Sequence, residues 1–276
     1  MKKGAVIAIV VGTLLLIGGG VVLGIGISKG VQEAKGVTNE HEIANFSNVN
    51  IDISTATLEF KVSEDGASKV VCEERENYYH TVNVENDTLI IKSVNNKKWY
   101  ESLFQFSYSP MKVTVYYPAS ELGNGVIEAS TGNIYIPHDY SFESLSVKAS
   151  TGNVHVKSDV STTLNVETST GNSYIEANAK NLNVKASTGN IYLTNTIVEE
   201  NMYAKLSTGN IHITDSDAQN IDLDASTGNI HAVLLSGKKF EVTTKTGKAH
   251  YPASIEGNGT CKVHTSTGNV DITIKE

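Results

Sequence analysis

One tetrapeptide governs what this chain can fold into. Ser-Thr-Gly-Asn returns along the whole second half, with its glycines at Gly132, Gly152, Gly171, Gly189, Gly209, Gly228, Gly247 and Gly268. The intervals are 20, 19, 18, 20, 19, 19 and 21 residues. Seven copies keep the whole motif, ending in Asn133, Asn153, Asn172, Asn190, Asn210, Asn229 and Asn269; the copy around Gly247 reads Lys245-Thr246-Gly247-Lys248. Self-similarity at a fixed period of this length marks an array in which one supersecondary unit stacks on its neighbours.

The residues around each glycine say what that unit is. Apolar residues stand seven and five positions before it, as Leu164 and Val166 do, and two and four after it, as Ile191 and Leu193 do. A period of two belongs to strands and not to helices, so each repeat reads as strand, tight turn, strand. One such unit cannot bury its apolar face, whereas stacked copies share a continuous core with strands about 4.8 Å apart. The expected fold is all-β: a single-stranded β-solenoid, parallel β-helix-like and of either hand, with about eight to nine coils. The motif itself is expected to be structural. Glycine supplies backbone of positive φ, asparagine bonds locally, and stacked Ser, Thr and Asn can bond to their equivalents above and below.

Upstream, Ser54-Thr55-Ala56-Thr57 is framed by Ile51, Ile53, Leu58 and Phe60. This degenerate copy is expected to start the stack. Strand-like stretches follow at Lys69 to Cys72, Thr81 to Val84, Thr88 to Lys92 and Met111 to Tyr117, with Glu85-Asn86-Asp87 as a hairpin turn. They are expected to form an amino-terminal β cap. Val270 to Ile274 is expected to be the final edge, guarded by Lys275 and Glu276 alone and open to a partner or another copy.

Residues 4 to 27 carry no charge and follow Lys2 and Lys3. At about 1.5 Å per residue they suffice for one transmembrane helix, and the lysines favour a cytoplasmic amino terminus with the remainder outside. The predicted organisation is an uncleaved membrane anchor at 1–27, a linker at 28–43 and the solenoid domain at 44–276. Within that domain 44–120 holds the first coil and cap, and 121–276 holds the repeats.

A net charge of −8 and a single arginine, Arg75, leave no basic surface for nucleic acid. Cys72 and Cys261 are too few and too distant for a metal-ligand cluster, and Cys261 stands in a column of Leu, Met, Ile and Phe, as a buried hydrophobe would. Neither a metal nor any other cofactor is expected.

The candidate ligand surface is the column three residues after each glycine: Tyr135, His155, Tyr174, Tyr192, His212, His231 and His250, continued by Asp271. Rings at the coil spacing suit the flat faces of sugars, and imidazoles respond to mild acid. The same residues can instead stabilise one another along a ladder. A second cluster, Trp99, Tyr100, Phe104, Phe106 and Tyr108 beside Lys97 and Lys98, suits either the first coil's open face or lipid headgroups. Glu73, Glu74 and Glu76 near His80 read as a solvated loop. For catalysis the outward positions offer only scattered Glu128, Glu167, Asp222, Asp224 and Glu241, without phosphate loop, nucleophile elbow or HExxH helix.

The repeated Ala-Ser-Thr-Gly-Asn-Ile pattern, as at Ala129 to Ile134 and Ala225 to Ile230, resembles the bacterial putative adhesin family, a domain of unknown function. The resemblance runs from about residue 45 to the end and includes Ser54-Thr55-Ala56-Thr57 and the strand ending at Tyr117-Pro118. It implies a membrane-anchored β-solenoid displayed outside the cell, in some members associated with envelope-stress systems. It transfers no catalytic residue, and the turn at Lys245 to Lys248 departs from its pattern. The expected function is a non-enzymatic surface interaction module with cell-wall polysaccharide or a membrane protein as partner. An accessory of an envelope-stress or signalling system is the second expectation, and a carbohydrate-active enzyme the third.

Overall fold

A computed structural model of the chain describes residues 36–75, 77–96 and 111–276. The expected anchor at 4–27, the linker up to residue 35 and the aromatic cluster of Trp99 to Tyr108 lie outside the described residues. Within them all regular structure is strand.

The amino-terminal part contributes β1 (Val37–Glu42), β2 (Asn48–Thr55), β3 (Thr57–Val62), β4 (Lys69–Glu74), β5 (Tyr78–Glu85), β6 (Thr88–Asn95) and β7 (Lys112–Tyr117). The hairpin expected at Glu85 to Asp87 joins β5 and β6, and Asn86 and Asp87 take φ of 48° and 60°, the paired positive values of a twist-matched two-residue turn. The repeats follow as alternating long and short arms. The long arms are β8 (Glu121–Thr131), β10 (Ser141–Thr151), β12 (Asp159–Thr170), β14 (Ala179–Thr188) and β16 (Ile197–Thr208). The short ones are β9 (Ile134–Ile136), β11 (Val154–Val156), β13 (Ser173–Ile175) and β15 (Ile191–Thr194). β17 (Ile211–Thr227) runs through a corner and serves as a short arm and then a long one. The chain closes with β18 (Ile230–Leu234), β19 (Lys239–Thr246), β20 (Ala249–His250), β21 (Thr260–Thr267) and β22 (Val270–Ile274).

Long arms pair in parallel with long arms, and short with short, to form two facing walls. Alternation sends every second side chain inward. Leu164 and Val166 from one wall and Val154, Val156 and Ile175 from the other are all fully or nearly fully buried. Where the inward column breaks to a polar residue, its neighbour compensates: Ser173 Oγ lies 3.2 Å from Thr168 Oγ1. At the second corner buried hydroxyls bond the coil before, as when Ser158 Oγ donates to the Pro137 carbonyl at 2.6 Å.

The turn motif joins each long arm to the short arm that follows it. All eight repeat glycines have φ between 134° and 150°. Each also has its missing Cβ aimed at the next turn: on Gly152 it would lie 1.9 Å from the Gly132 carbonyl oxygen. Glycine is thus required both by the backbone angle and by the close stacking of turns. The asparagine ladder uses the backbone. Asn133 Oδ1 accepts from the N–H of Asn153, Asn153 from Asn172, Asn172 from Asn190 and Asn190 from Asn210, at 2.8 to 2.9 Å.

Both ends differ from expectation. β2–β3 does not start the stack: it lies between β8–β9 and a further parallel layer built from β6 and β7. The cap segment therefore supplies stacking strands as well as the antiparallel β4 and β5, and β1, placed within the expected linker, pairs antiparallel with β4. At the far end β21–β22 is inserted between β17–β18 and β19–β20, so the chain's final strand has neighbours on both sides. The outermost layer is β19–β20, which carries the Lys245 to Lys248 turn. Lys248 donates its N–H to Asn269 Oδ1 and offers no side-chain acceptor to a further layer. Its departure from the motif ends the ladder, and exposed lysines on an edge discourage pairing with another chain. The crossover into this layer is held by Lys238, whose ammonium meets Asp217 at 2.8 Å with both side chains largely buried.

Candidate functional site

The position three after each glycine alternates with buried residues on the short-arm wall, so its side chain points outward. Strand register joins these positions into one column, running Glu59, Tyr135, His155, Tyr174, Tyr192, His212, His231, Asp271, His250. Every residue of the sequence-derived ligand surface falls on it. The order along the stack is not the order of the chain, because the inserted last layer places Asp271 between His231 and His250.

Five rings form an unbroken stack. Centroid separations are 4.7 Å for Tyr135–His155, 4.5 Å for His155–Tyr174, 4.9 Å for Tyr174–Tyr192 and 5.0 Å for Tyr192–His212, with interplanar angles of 16° or less. The geometry constrains what the row can bind. Within the stack the flat faces are occupied by one another, so only ring edges, with phenol hydroxyls and imidazole nitrogens, meet solvent. At the Tyr135 end the next residue in the column is Glu59, not another ring. There a shallow depression is lined by Thr57, Glu59, Glu73, Met111, Lys112 and Tyr135, with Glu59 paired to Lys112 at 2.5 Å. At the other end Asp271 accepts from both flanking imidazoles, at 3.1 Å from His231 Nδ1 and 3.2 Å from His250 Nδ1.

Electrostatics differ along the row. Burial against neighbouring rings holds the His155 and His212 imidazoles below the ordinary histidine range, and the charges of Lys157 and His231 push them the same way. Glu59 is held below the usual carboxylate range by Lys112 and Lys61, whose pull outweighs its partial desolvation.

The outer face of the long-arm wall is chemically different. Its column reads Asp52, Glu128, Lys148, Glu167, Lys185, Lys205, Asp224, with Lys205 bonded to Asp224 at 3.0 Å. In the adjoining column Lys262 stands between Asp222 and Glu241. The scattered carboxylates of the sequence thus lie in two columns interleaved with lysine.

Sequence reasoning missed a second constellation. Of the expected solvated loop Glu73, Glu74 and Glu76, the last lies outside the described residues, and the first two stand on β4 instead. Glu73 is exposed, but Glu74 and His80 are each 3% exposed and face the interior from β4 and β5. Cys72 joins them: its sulfur, a Glu74 carboxylate oxygen and a His80 ring nitrogen all lie within 4.8 Å of one another. The strand period carried the signal, since positions 72 and 74 share a face on one strand and 78 and 80 share one on the next. Burial pushes the Cys72 thiol up to about 12 and holds the His80 imidazole low against the opposing pull of Glu74. Cys261, by contrast, is a fully buried hydrophobe in its column, as expected.

Comparison with known proteins agrees with the geometry. The fold is shared with a solved putative lipid binding protein from Parabacteroides distasonis at a TM-score of 0.55, with 20% identity over 88% of this chain and 98% of that one. A putative adhesin from Parabacteroides merdae aligns with 14% identity and a TM-score of 0.47 over 88% of this chain and 98% of that one. A putative adhesin from Bacteroides fragilis aligns with 12% identity and a TM-score of 0.42 over 86% and 97%. No curated protein matches the chain. The family model described as Toastrack DUF4097 matches residues 46–276, the full length of the stacked walls, and the chain belongs to that family.

Proposed function

We propose that this chain is a membrane-anchored, extracellular, non-enzymatic interaction module whose Tyr/His row engages a linear polysaccharide of the cell wall. The observation that carries this reading is the continuous outward row with five rings stacked edge-out. It presents a hydroxyl or ring nitrogen at every coil, about 4.8 Å apart, and a linear polymer of repeating hydroxyls can follow such a row. Affinity is then distributed over many weak polar contacts. Stacking on a sugar face is confined to Tyr135, beside the Glu59–Lys112 pair. Two features support a role without catalysis: lysines interleave the carboxylates of the long-arm wall, and the ligand row carries one carboxylate between two imidazoles rather than a facing acid pair. Anchoring rests on the uncharged stretch at residues 4–27 behind Lys2 and Lys3.

The test is sedimentation of the full-length chain, in mild detergent, with purified cell-wall material. The triple variant His212→Ala, His231→Ala, His250→Ala keeps the fold, since all three side chains point out of the core, and is expected to lose most of its binding. Tyr135→Ala is expected to weaken binding of short oligosaccharides most. Undiminished binding by a folded triple variant removes the row as the ligand surface.

A further inference from the structure

We infer that the amino-terminal cap holds a buried zinc site, with Cys72 Sγ and His80 Nε2 as ligands, His41 as a third donor and Glu74 as the carboxylate that orients His80. The case begins with an imbalance in the interior. His80 Nε2 is buried and has no hydrogen-bond partner, although its side chain is 0% exposed. The opposite ring nitrogen is engaged: Glu74 Oε1 lies 3.1 Å from Nδ1 and accepts the His80 backbone N–H at 2.6 Å. That contact places the proton on Nδ1 and leaves a bare lone pair on Nε2, facing no donor. A buried acceptor without a partner costs on the order of 1–3 kcal/mol, so its persistence calls for an occupant.

The surrounding groups match the chemistry of a thiophilic d10 cation. Carboxylate to histidine Nδ1–H, with Nε2 free for metal, is the usual way a protein orients a metal-binding imidazole. Glu74 acts as the orienting carboxylate, since its Oε1 already meets both the backbone and ring N–H of His80 while its Oε2 accepts from Asn39 Nδ2 at 2.5 Å. Cys72 is fully buried and part of the same cluster. His41 supplies the second orphan: its Nε2 is also buried and partnerless. It sits on β1 opposite Val70, two residues from Asn39, which pairs with Cys72. Residues opposite one another in an antiparallel pair share a face, so His41, Asn39, Val70 and Cys72 point the same way.

Binding balances in charge. Zn2+ displaces the thiol proton of Cys72 to solvent and bonds the thiolate. With one thiolate and the Glu74 carboxylate, a divalent ion is neutralised, which a buried site requires. Soft sulfur and imidazole donors select zinc over magnesium or calcium. Bound there, zinc would staple β1, β4 and β5 together at the amino-terminal end of the stack.

Cobalt(II) reports this site directly, through thiolate-to-cobalt charge transfer and intense tetrahedral ligand-field bands. The full-length chain in mild detergent, stripped with a chelator, is titrated with Co2+ and then Zn2+. One equivalent of cobalt is expected to develop both bands, and zinc to erase them. Cys72→Ala is expected to abolish the charge-transfer band and Cys261→Ala to keep it. Glu74→Gln is expected to weaken zinc binding about 10–100-fold. Absence of the bands in folded wild-type protein overturns the proposal, as does a band that survives Cys72→Ala and disappears with Cys261→Ala. The wild-type result decides the matter even if a variant does not fold.

Discussion

Replacing Gly171 with alanine tests whether the turn motif builds the stack. Gly171 has φ of 138°, and a Cβ there would stand 1.9 Å from the Gly152 carbonyl oxygen. Ordinary carbon contacts begin near about 3.5 Å, so the two coils must part by more than about 1 Å at this turn. The backbone angle alone costs about 1–3 kcal/mol in a side-chain-bearing residue. Opening the turn also strains the bonds from Gly152 N–H to the Thr170 carbonyl and from Val154 N–H to the Asn172 carbonyl, both 2.9 Å, at about 1 kcal/mol each. The expected loss is about 3–5 kcal/mol, a drop of about 1–1.7 M in the urea midpoint if m is about 3 kcal/mol/M. Two further glycines separate the contributions. Gly66 has φ of 73° and open space around its Cβ position, so Gly66→Ala isolates backbone strain at about 1–2 kcal/mol. Gly247 repeats the geometry of Gly171, with φ of 147° and a Cβ 2.0 Å from the Gly268 carbonyl oxygen. It lies in the outermost layer, which can lift away without parting other coils, and Gly247→Ala is expected to cost less than half as much as Gly171→Ala. If Gly171→Ala were no worse than Gly66→Ala, close stacking of turns would not be what selects glycine.

Two other outcomes follow from named contacts. Lys238→Met leaves Asp217 buried without a cation, held only by the Ser236 hydroxyl and the Ala218 N–H, and is expected to cost about 3–5 kcal/mol, read as a lower urea midpoint and as early hydrogen exchange confined to β19 and β20; protection unchanged there would show that the pair does not hold the crossover. The second outcome concerns acid. His155 and His212 have depressed pKa values in the folded state, so the unfolded chain binds more protons below its ordinary histidine pKa of about 6.5. Their contribution is complete above that value and declines as pH falls through the folded values, a window above the carboxylate range in which Glu59 and Glu176 act. The urea midpoint is expected to fall between about pH 7 and about pH 5, and less so in His155→Tyr, which extends the phenol stack; an identical fall in that variant would remove His155 as a cause.

The walls, the turn and the outward column were legible in the sequence because each depends on spacing within one repeat. Leu164 and Val166 point inward for the same reason that His155 points outward, and the glycine between arms reports its own backbone angle. What escaped was every relation between segments far apart in the chain. The Cys72, Glu74 and His80 cluster has its members on two strands, and no repeat copies it, so only the pairing of β1 with β4 and the inward register of β5 reveal it. The hairpin at Asn86-Asp87 was readable, whereas the layer formed by β6 and β7 was not, since nothing in the local pattern of Leu89 and Ile91 says that they pair with Val49 and Ile51.

The same limit explains why the ends of the stack were misjudged, and the two ends share one solution. A solenoid laid down strictly in chain order finishes on a layer tied to the rest at one side only, and that layer frays. At the carboxyl end the chain leaves a gap, builds the outer layer and then returns to fill the space beneath it; at the amino end it lays β2–β3 first, passes to the outside with β6–β7 and then crosses to the inner side with β8–β9. β6–β7 lies outside β2–β3, and β19–β20 lies outside β21–β22. β6–β7 and β19–β20 are therefore each linked covalently to layers on the inner side of their neighbour, so neither can peel away without the crossovers opening too; at the amino-terminal end the antiparallel β5 and β4 extend the walls beyond β6 and β7. Gly257 and Gly259, with φ of 96° and 89°, make the return possible, and a Cβ on Gly259 would strike the Gln219 carbonyl oxygen at 1.7 Å. The motif's one departure follows from this order. The Lys248 copy precedes the Asn269 copy in the chain yet lies outside it in space, and the asparagine was dispensable only where no further coil waits for its side-chain oxygen.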